Sequence, residues 1–312
     1  MTQIIAIALN TFKEAVRNRI LYILLLFAII IMASGGIISD LSISSEDKII
    51  KDLGVASINF FGLLIAIFVG IGLVYNEIDK KTLYTIVSKP IDRYQFILGK
   101  YFGLLLTVYV NVIIMTLFFI GSLYYRHFTS GEYIQKYFSN PNFDISQGIP
   151  FVQYSIFMIK QIFSSIYHTL FTFFKWDHLN IATNVMPVIF MTCIELAIVT
   201  AFAVLFSASS SPTLSAVLTI FTFIIGRMNE DIIRYAMKIQ KDGLTSFGKI
   251  FKYHFANVSA HIMPNLEKFN LRSDLIYSDS ITINWFSVFY GVMYVIMILM
   301  ISMIIFSRRN FK

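Results

Sequence analysis

Six stretches of this chain are apolar for about the length that a helix needs to cross a bilayer. They run from Ile20 to about Ile38, Ala56 to Tyr75, Tyr101 to about Tyr125, about Asn184 to Phe206, Pro212 to near Met228, and Trp285 to Phe306. A bilayer core of about 30 Å takes about 20 apolar residues at 1.5 Å per residue. Inside hydrocarbon the backbone has no water to bond, so each stretch must close its own hydrogen bonds as a helix. Composition agrees, because 57% of residues are hydrophobic and only 14% charged, against about 25% charged in soluble domains. The fold class expected is all-α integral membrane, a single permease-like domain over 1–312 with spans 20–38, 56–75, 101–125, 184–206, 212–228 and 285–306.

The polar residues set the topology. Thr2 to Asn18 carries Ile4, Ile5, Ala8, Leu9, Phe12, Ala15 and Val16 at helical spacing, with Asn10, Lys13, Glu14 and Arg17 opposite. Residues 1–19 are therefore expected to form an interfacial amphipathic helix; a signal peptide would lack the polar stripe and would show a small-residue cleavage site. Asp40 to Asp52 reads as a short loop of mixed charge. Lys80, Lys81, Lys89, Arg93 and Lys100 make the 76–100 loop strongly basic, which places it in the cytoplasm with both termini, the tail carrying Arg308, Arg309 and Lys312. Residues 126–183 and 229–284 then fall on the outer side. Phe151 to Trp176 is apolar, but Gln153, Lys160, Gln161, Ser164, Ser165, His168, Thr172 and Lys175 trace one face. A surface helix fits that pattern better than a seventh span, which would also separate the basic termini. In the second outer segment, Ile232, Ile233, Ala236 and Ile239 fit one amphipathic helix, and Phe247, Ile250, Phe251, His254 and Phe255 begin another.

The stretch between the second and third spans, NEIDKKTLYTIVSKPIDRYQFILGK, is the most patterned polar segment. Ile78, Leu83, Ile86 and Val87 share one side of a helical wheel, and Glu77, Asp79, Lys80 and Lys81 crowd its start. Pro90 disfavours helix at Lys89. Asp92 and Gln95 have the spacing of a capping box at the next helix start. Glu77 and Arg93 stand where they could pair across the loop. As an exposed pair they would contribute only about 0 to 1 kcal/mol and would serve geometry.

Glu77, Thr82, Leu83, Ser88, Lys89, Pro90, Ile91, Arg93, Gly99 and Lys100 make this loop resemble the first cytoplasmic loop of permeases of ATP-binding-cassette exporters, the ABC type-2 superfamily. Met263 to Arg272 (MPNLEKFNLR) and Ile305 to Phe311 (IFSRRNF) are similar to later stretches of the same family. The resemblance implies an N-terminal elbow helix, a coupling helix that docks on a separate nucleotide-binding ATPase subunit, and a homo- or heterodimer of permease chains. Glu77, Thr82, Leu83, Ser88, Pro90 and Arg93 would be the coupling residues. It also implies the plasma (inner) membrane of a bacterium and export or extraction of a substrate. The large 126–183 segment departs from the compact family pattern.

The residues themselves argue against chemistry in this chain. A phosphate-cradling loop needs an upstream glycine and a following Ser or Thr, which Gly99-Lys100 and Gly248-Lys249 lack. ATP and magnesium are expected in the partner subunit, and no cofactor, metal or catalytic residue here. Cys193 alone allows neither a disulfide framework nor a thiolate cluster, and five scattered histidines give no HExxH spacing. The net charge of +7 lies at membrane edges and in loops without an aromatic-interleaved motif, so nucleic acid is not expected as a partner. Glu195 stands out, because a carboxylate deep in a span costs about 2.5 to 3.5 kcal/mol unless paired or hydrated. Either it lines a wet path or it bonds an interior group such as Asn111, Thr192 or Thr200. Large outer segments also suit a second class of function, a non-transporting anchor or signalling subunit linking an ATPase to an outer-face protein.

Overall fold

The computed structural model describes residues 2–40, 46–79, 92–129, 179–241, 247–277 and 281–308, which are helical with short connections and contain no strand. The helices, in chain order, are α1 (Thr2–Val16), α2 (Arg19–Asp40), α3 (Glu46–Asp79), α4 (Arg93–Thr129), α5 (Leu179–Ser209), α6 (Pro212–Arg227), α7 (Asn229–Lys241), α8 (Phe247–Ile262), α9 (Arg272–Tyr277) and α10 (Trp285–Arg308). Five of them, α2, α3, α4, α5 and α10, are long and apolar enough to cross a membrane. At 16 residues, α6 reaches only about 24 Å, short of a bilayer core of about 30 Å.

Burial orders the bundle. In α5, 83% of the residues of the apolar stretch are buried, against 22% in α2 and α10, so α5 is the centre and the other two present apolar faces outward. It packs against α3, α4, α6 and α10. Two tyrosines fasten α4 to it, Tyr101 donating to the Ala197 carbonyl at 3.4 Å and Tyr109 to the Cys193 carbonyl at 3.2 Å. Most interior hydroxyls close on their own helices: Thr107, Thr200, Ser215, Thr219 and Thr222 each donate to the carbonyl four residues back.

Helix boundaries depart from the sequence reading at several points: α4 runs on to Thr129 and α5 begins at Leu179, both inside the expected outer segment 126–183, and both ends of α3 differ. Within the loop expected over Asp40 to Asp52, residues 46–52 are helix, because α3 begins at Glu46. At its other end α3 runs unbroken through Tyr75 to Asp79, so Glu77 and Ile78 continue the span helix. With 34 and 37 residues, α3 and α4 measure about 51 and 55 Å, more than a bilayer core requires. The rest of the expected amphipathic coupling helix, and Phe151 to Trp176, lie outside the described residues. The α4 start agrees with the cap expectation in place but not in detail: Asp92 precedes Arg93, and its carboxylate accepts from the Gln95 side chain at 3.3 Å.

The N-terminal helix α1 packs chiefly on α4, with Thr11 and Ala15 buried. The contact is close because Gly99 and Gly103, four apart on α4, leave room for its backbone. A Cβ at Gly103 would stand 2.5 Å from the Ala8 carbonyl oxygen, and one at Gly99 would stand 2.6 Å from Ile7 Cβ. Lys100, between them, is buried with its ammonium 3.9 Å from Glu14. Phe96 stacks on Phe306 at 5.6 Å, so the start of α4 and the end of α10 share one end of the bundle.

The opposite end holds α7, α8 and α9. Here the segment after α6 does not stay beyond the bundle. Ile262, the last residue of α8, accepts through its carbonyl from Tyr294, nine positions into α10 and about 13 Å along it. The chain then climbs back, since Asn265 N–H donates to the Tyr290 hydroxyl at 3.0 Å and Arg272 pairs with Asp52 near the start of α3. The α7–α8 hairpin and residues 263–272 therefore form a re-entrant element. α7 buries Ala236 and Ile239, as the spacing predicts. α8 does the reverse: Phe251, Phe255, Val258 and Ile262, one stripe of the helix, are all exposed.

Candidate functional site

A buried ion pair between α5 and α6 stands beside the re-entrant element. Arg227 ends α6 and reaches Glu195 on α5 side by side: Nη2 donates to Oε2 at 2.8 Å, and Nε lies 2.8 Å from Oε1. The two positions meet because of helix lengths. Glu195 lies fourteen residues from the end of α5 at Ser209, and Arg227 fifteen from the start of α6 at Pro212, about 21 and 22 Å from their shared turn. A helix of 16 residues, shorter than a bilayer core, thus brings its last residue to the level of the carboxylate. Glu195 sits in the middle of α5, but Phe190 packs against Trp285 with ring centroids 6.5 Å apart. The carboxylate is therefore only about 8 Å past the level at which α10 begins.

From Arg227 the polar contacts continue through MPNLEKFNLR. Glu267 Oε2 lies 3.8 Å from Arg227 Nη1. Asn270 Nδ2 donates to Glu267 Oε1 at 2.9 Å, and its Oδ1 accepts from the Arg272 backbone N–H at 3.3 Å. Arg272 closes the series on Asp52 of α3. Five segments, α5, α6, the 267–269 turn, α9 and α3, are joined by Glu195, Arg227, Glu267, Asn270, Arg272 and Asp52.

Packing makes the docking close. Leu266 N–H donates to the Gly226 carbonyl at 3.0 Å, and a Cβ on Gly226 would meet the Pro264 carbonyl oxygen and Leu266 Cγ at 2.8 Å. Phe269 is buried against α10, where a Cβ on Gly291 would meet its ring at 3.0 Å. Lys268 lies over the Tyr290 ring at 4.9 Å. The element is thus joined to the bundle by close contacts at the backbone of Gly226 and Gly291 and by the Glu267–Arg227 contact. Among the described residues no group of His, Cys, Asp and Glu could hold a metal ion.

The residues singled out from the sequence are distributed as follows. Glu195 is buried, and its partner is Arg227 rather than Asn111, Thr192 or Thr200. Asn111 turns back to donate to the Thr107 carbonyl at 2.8 Å, and Thr200 to the Leu196 carbonyl at 2.7 Å. The two candidates Glu195 and Asn111 thus belong to separate arrangements. Glu77 lies in the last turn of α3 and Arg93 opens α4; Thr82, Leu83, Ser88 and Pro90 lie outside the described residues. Sequence reasoning missed Arg227 and Glu267. The signal for Arg227 was present, a basic residue closing a 16-residue apolar helix opposite the only acid of a neighbouring span. The Gly99–Gly103 spacing likewise marked the α1 contact.

Residues 5–311 match the family model described as ABC-2 family transporter protein. No curated protein matches the chain.

Proposed function

This chain belongs to the ABC-2 transporter family, and on that premise we propose that it is the membrane-spanning half of an exporter driven by a separate ATPase. A multi-pass membrane permease of this family is not the ATP-binding subunit. In this reading two copies, identical or related, form the translocation path, with α6 as the sixth, short span. The 76–100 loop of each copy lies in the cytoplasm of a bacterium and docks on a nucleotide-binding subunit, which supplies ATP and magnesium. Glu77, Thr82, Leu83, Ser88, Pro90 and Arg93 make that contact, and α1 is the elbow helix at the same membrane face.

The observation that carries the reading is the pair of rods flanking the loop. α3 and α4 run without a break from the edges of 80–91 through the bundle, and both pack on the enclosed α5. Closure of the ATPase subunits on the loop would move those rods as units. At the far end the Glu195–Arg227–Glu267 cluster would hold the re-entrant element shut until they move, giving two discrete arrangements. The chain purified from native membranes by an affinity tag tests the proposal through its mass. A complex of two permease chains with two ATP-hydrolysing subunits is expected, whereas a chain that purifies without any ATPase would overturn it.

A further inference from the structure

Between the start of α3 and α9 lies an open cavity of about 450 Å³, at the end of the bundle that carries the re-entrant element. Lys48, Asp52, Asn270, Arg272, Ser273 and Tyr277 contribute its polar and aromatic lining. Two cations face one carboxylate, so the lining carries a net charge of +1. Asp52 occupies the Nε side of Arg272, and a guanidinium has five N–H donors, so most of its fork remains for a ligand. The Lys48 ammonium lies over the Tyr277 ring at 5.0 Å. Among the described residues its N–H donors meet no acceptor. Ser273 is exposed at the mouth and adds a hydroxyl.

We propose that this cavity binds an anionic phosphate or carboxylate group, with Arg272 and Lys48 as its charge contacts and Tyr277 as its wall. An arginine fork matches such an anion in two hydrogen bonds, and the ammonium adds a point charge. The depth suits either of two sources. Lys48 begins the apolar stretch of α3, so the cavity opens at the level where lipid headgroups meet water, and Ile49 and Ile276 line it on the apolar side. A soluble anion reaches the same donors from the open mouth. In either case the ligand shares Arg272 with Asp52, and the Arg272 backbone is tied through Asn270 and Glu267 to Arg227. The cavity thus stands at the exposed end of the series of contacts that terminates at buried Glu195.

The test uses the full chain in nanodiscs of phosphatidylcholine, with two probes. Inorganic phosphate is titrated by calorimetry, and retention of phosphatidylglycerol, mixed into the discs at a fixed fraction, is read by native mass spectrometry. At least one probe is expected to bind, and Lys48→Gln and Arg272→Gln are each expected to weaken it about tenfold, the equivalent of about 1.4 kcal/mol. Phosphate binding identifies a solute site, and retention of the lipid without phosphate binding identifies a headgroup site. Lys48 is exposed, and among the described residues its ammonium lies over the Tyr277 ring, so Lys48→Gln keeps the fold even if Arg272→Gln loosens α9. Failure of both probes to bind, or binding that Lys48→Gln leaves unchanged, overturns the proposal.

Discussion

Replacing Arg227 by methionine removes the guanidinium from Glu195 and retains a side chain of similar length. The two partners are unequally placed: the Glu195 side chain is 2% exposed and that of Arg227 19%. Removing one partner of a buried ion pair costs about 3 to 5 kcal/mol, because the other charge is left without compensation. Arg227→Met should lie in that range. Glu195→Gln should cost less, about 1 to 3 kcal/mol, since Arg227 keeps Glu267 at 3.8 Å and part of its hydration. The double variant Glu195→Gln with Arg227→Met should be milder than the sum of the two, with a coupling energy of about 1 to 3 kcal/mol. Unfolding of the purified chain in mixed micelles, titrated with a denaturing detergent, measures all three. The reasoning fails if Arg227→Met lies within about 0.5 kcal/mol of wild type, the range of ordinary surface substitutions, or if Glu195→Gln proves the more costly.

Three further outcomes are expected. Gly226→Ala should destabilise by about 1 to 3 kcal/mol through overpacking, since its Cβ would meet the Pro264 carbonyl, and should expose 263–269 to limited proteolysis. Gly103→Ala should release α1 from α4, read as faster proteolysis within residues 2–16, while Gly121→Ala, whose Cβ meets nothing within 4 Å, should be neutral. In a Cys193→Ser background, a cysteine at Ile262 should resist a membrane-impermeant maleimide while one at Lys241 reacts. Equal labelling would place the α8 end in water and contradict the re-entrant path.

How much of this was legible follows from the physics of each signal. Five spans were readable as uninterrupted apolar runs of membrane length, and α7 as a helix from its spacing, because both signals are local. The exposed stripe of α8 was misleading as a guide to burial: Phe251, Phe255, Val258 and Ile262 have the spacing of a core face, and spacing does not say which medium the face meets. Glu195 was conspicuous as an acid in a span. Its partner lies 32 positions away on a helix whose shortness sets the level of Arg227, a tertiary fact that no single window contains. The path of 263–272 back among the helices depends on hydrogen bonds with Tyr290, which accepts from Asn265, and Tyr294, which donates to Ile262, and both read in the sequence only as ordinary span aromatics.

The most direct measurement is ATP turnover by the permease reconstituted with its ATPase subunit, comparing wild type with Arg93→Glu in chains shown to insert equally. The 76–100 loop as the point of coupling predicts that Arg93→Glu lowers turnover to that of the ATPase subunit alone. Turnover equal to wild type would contradict it.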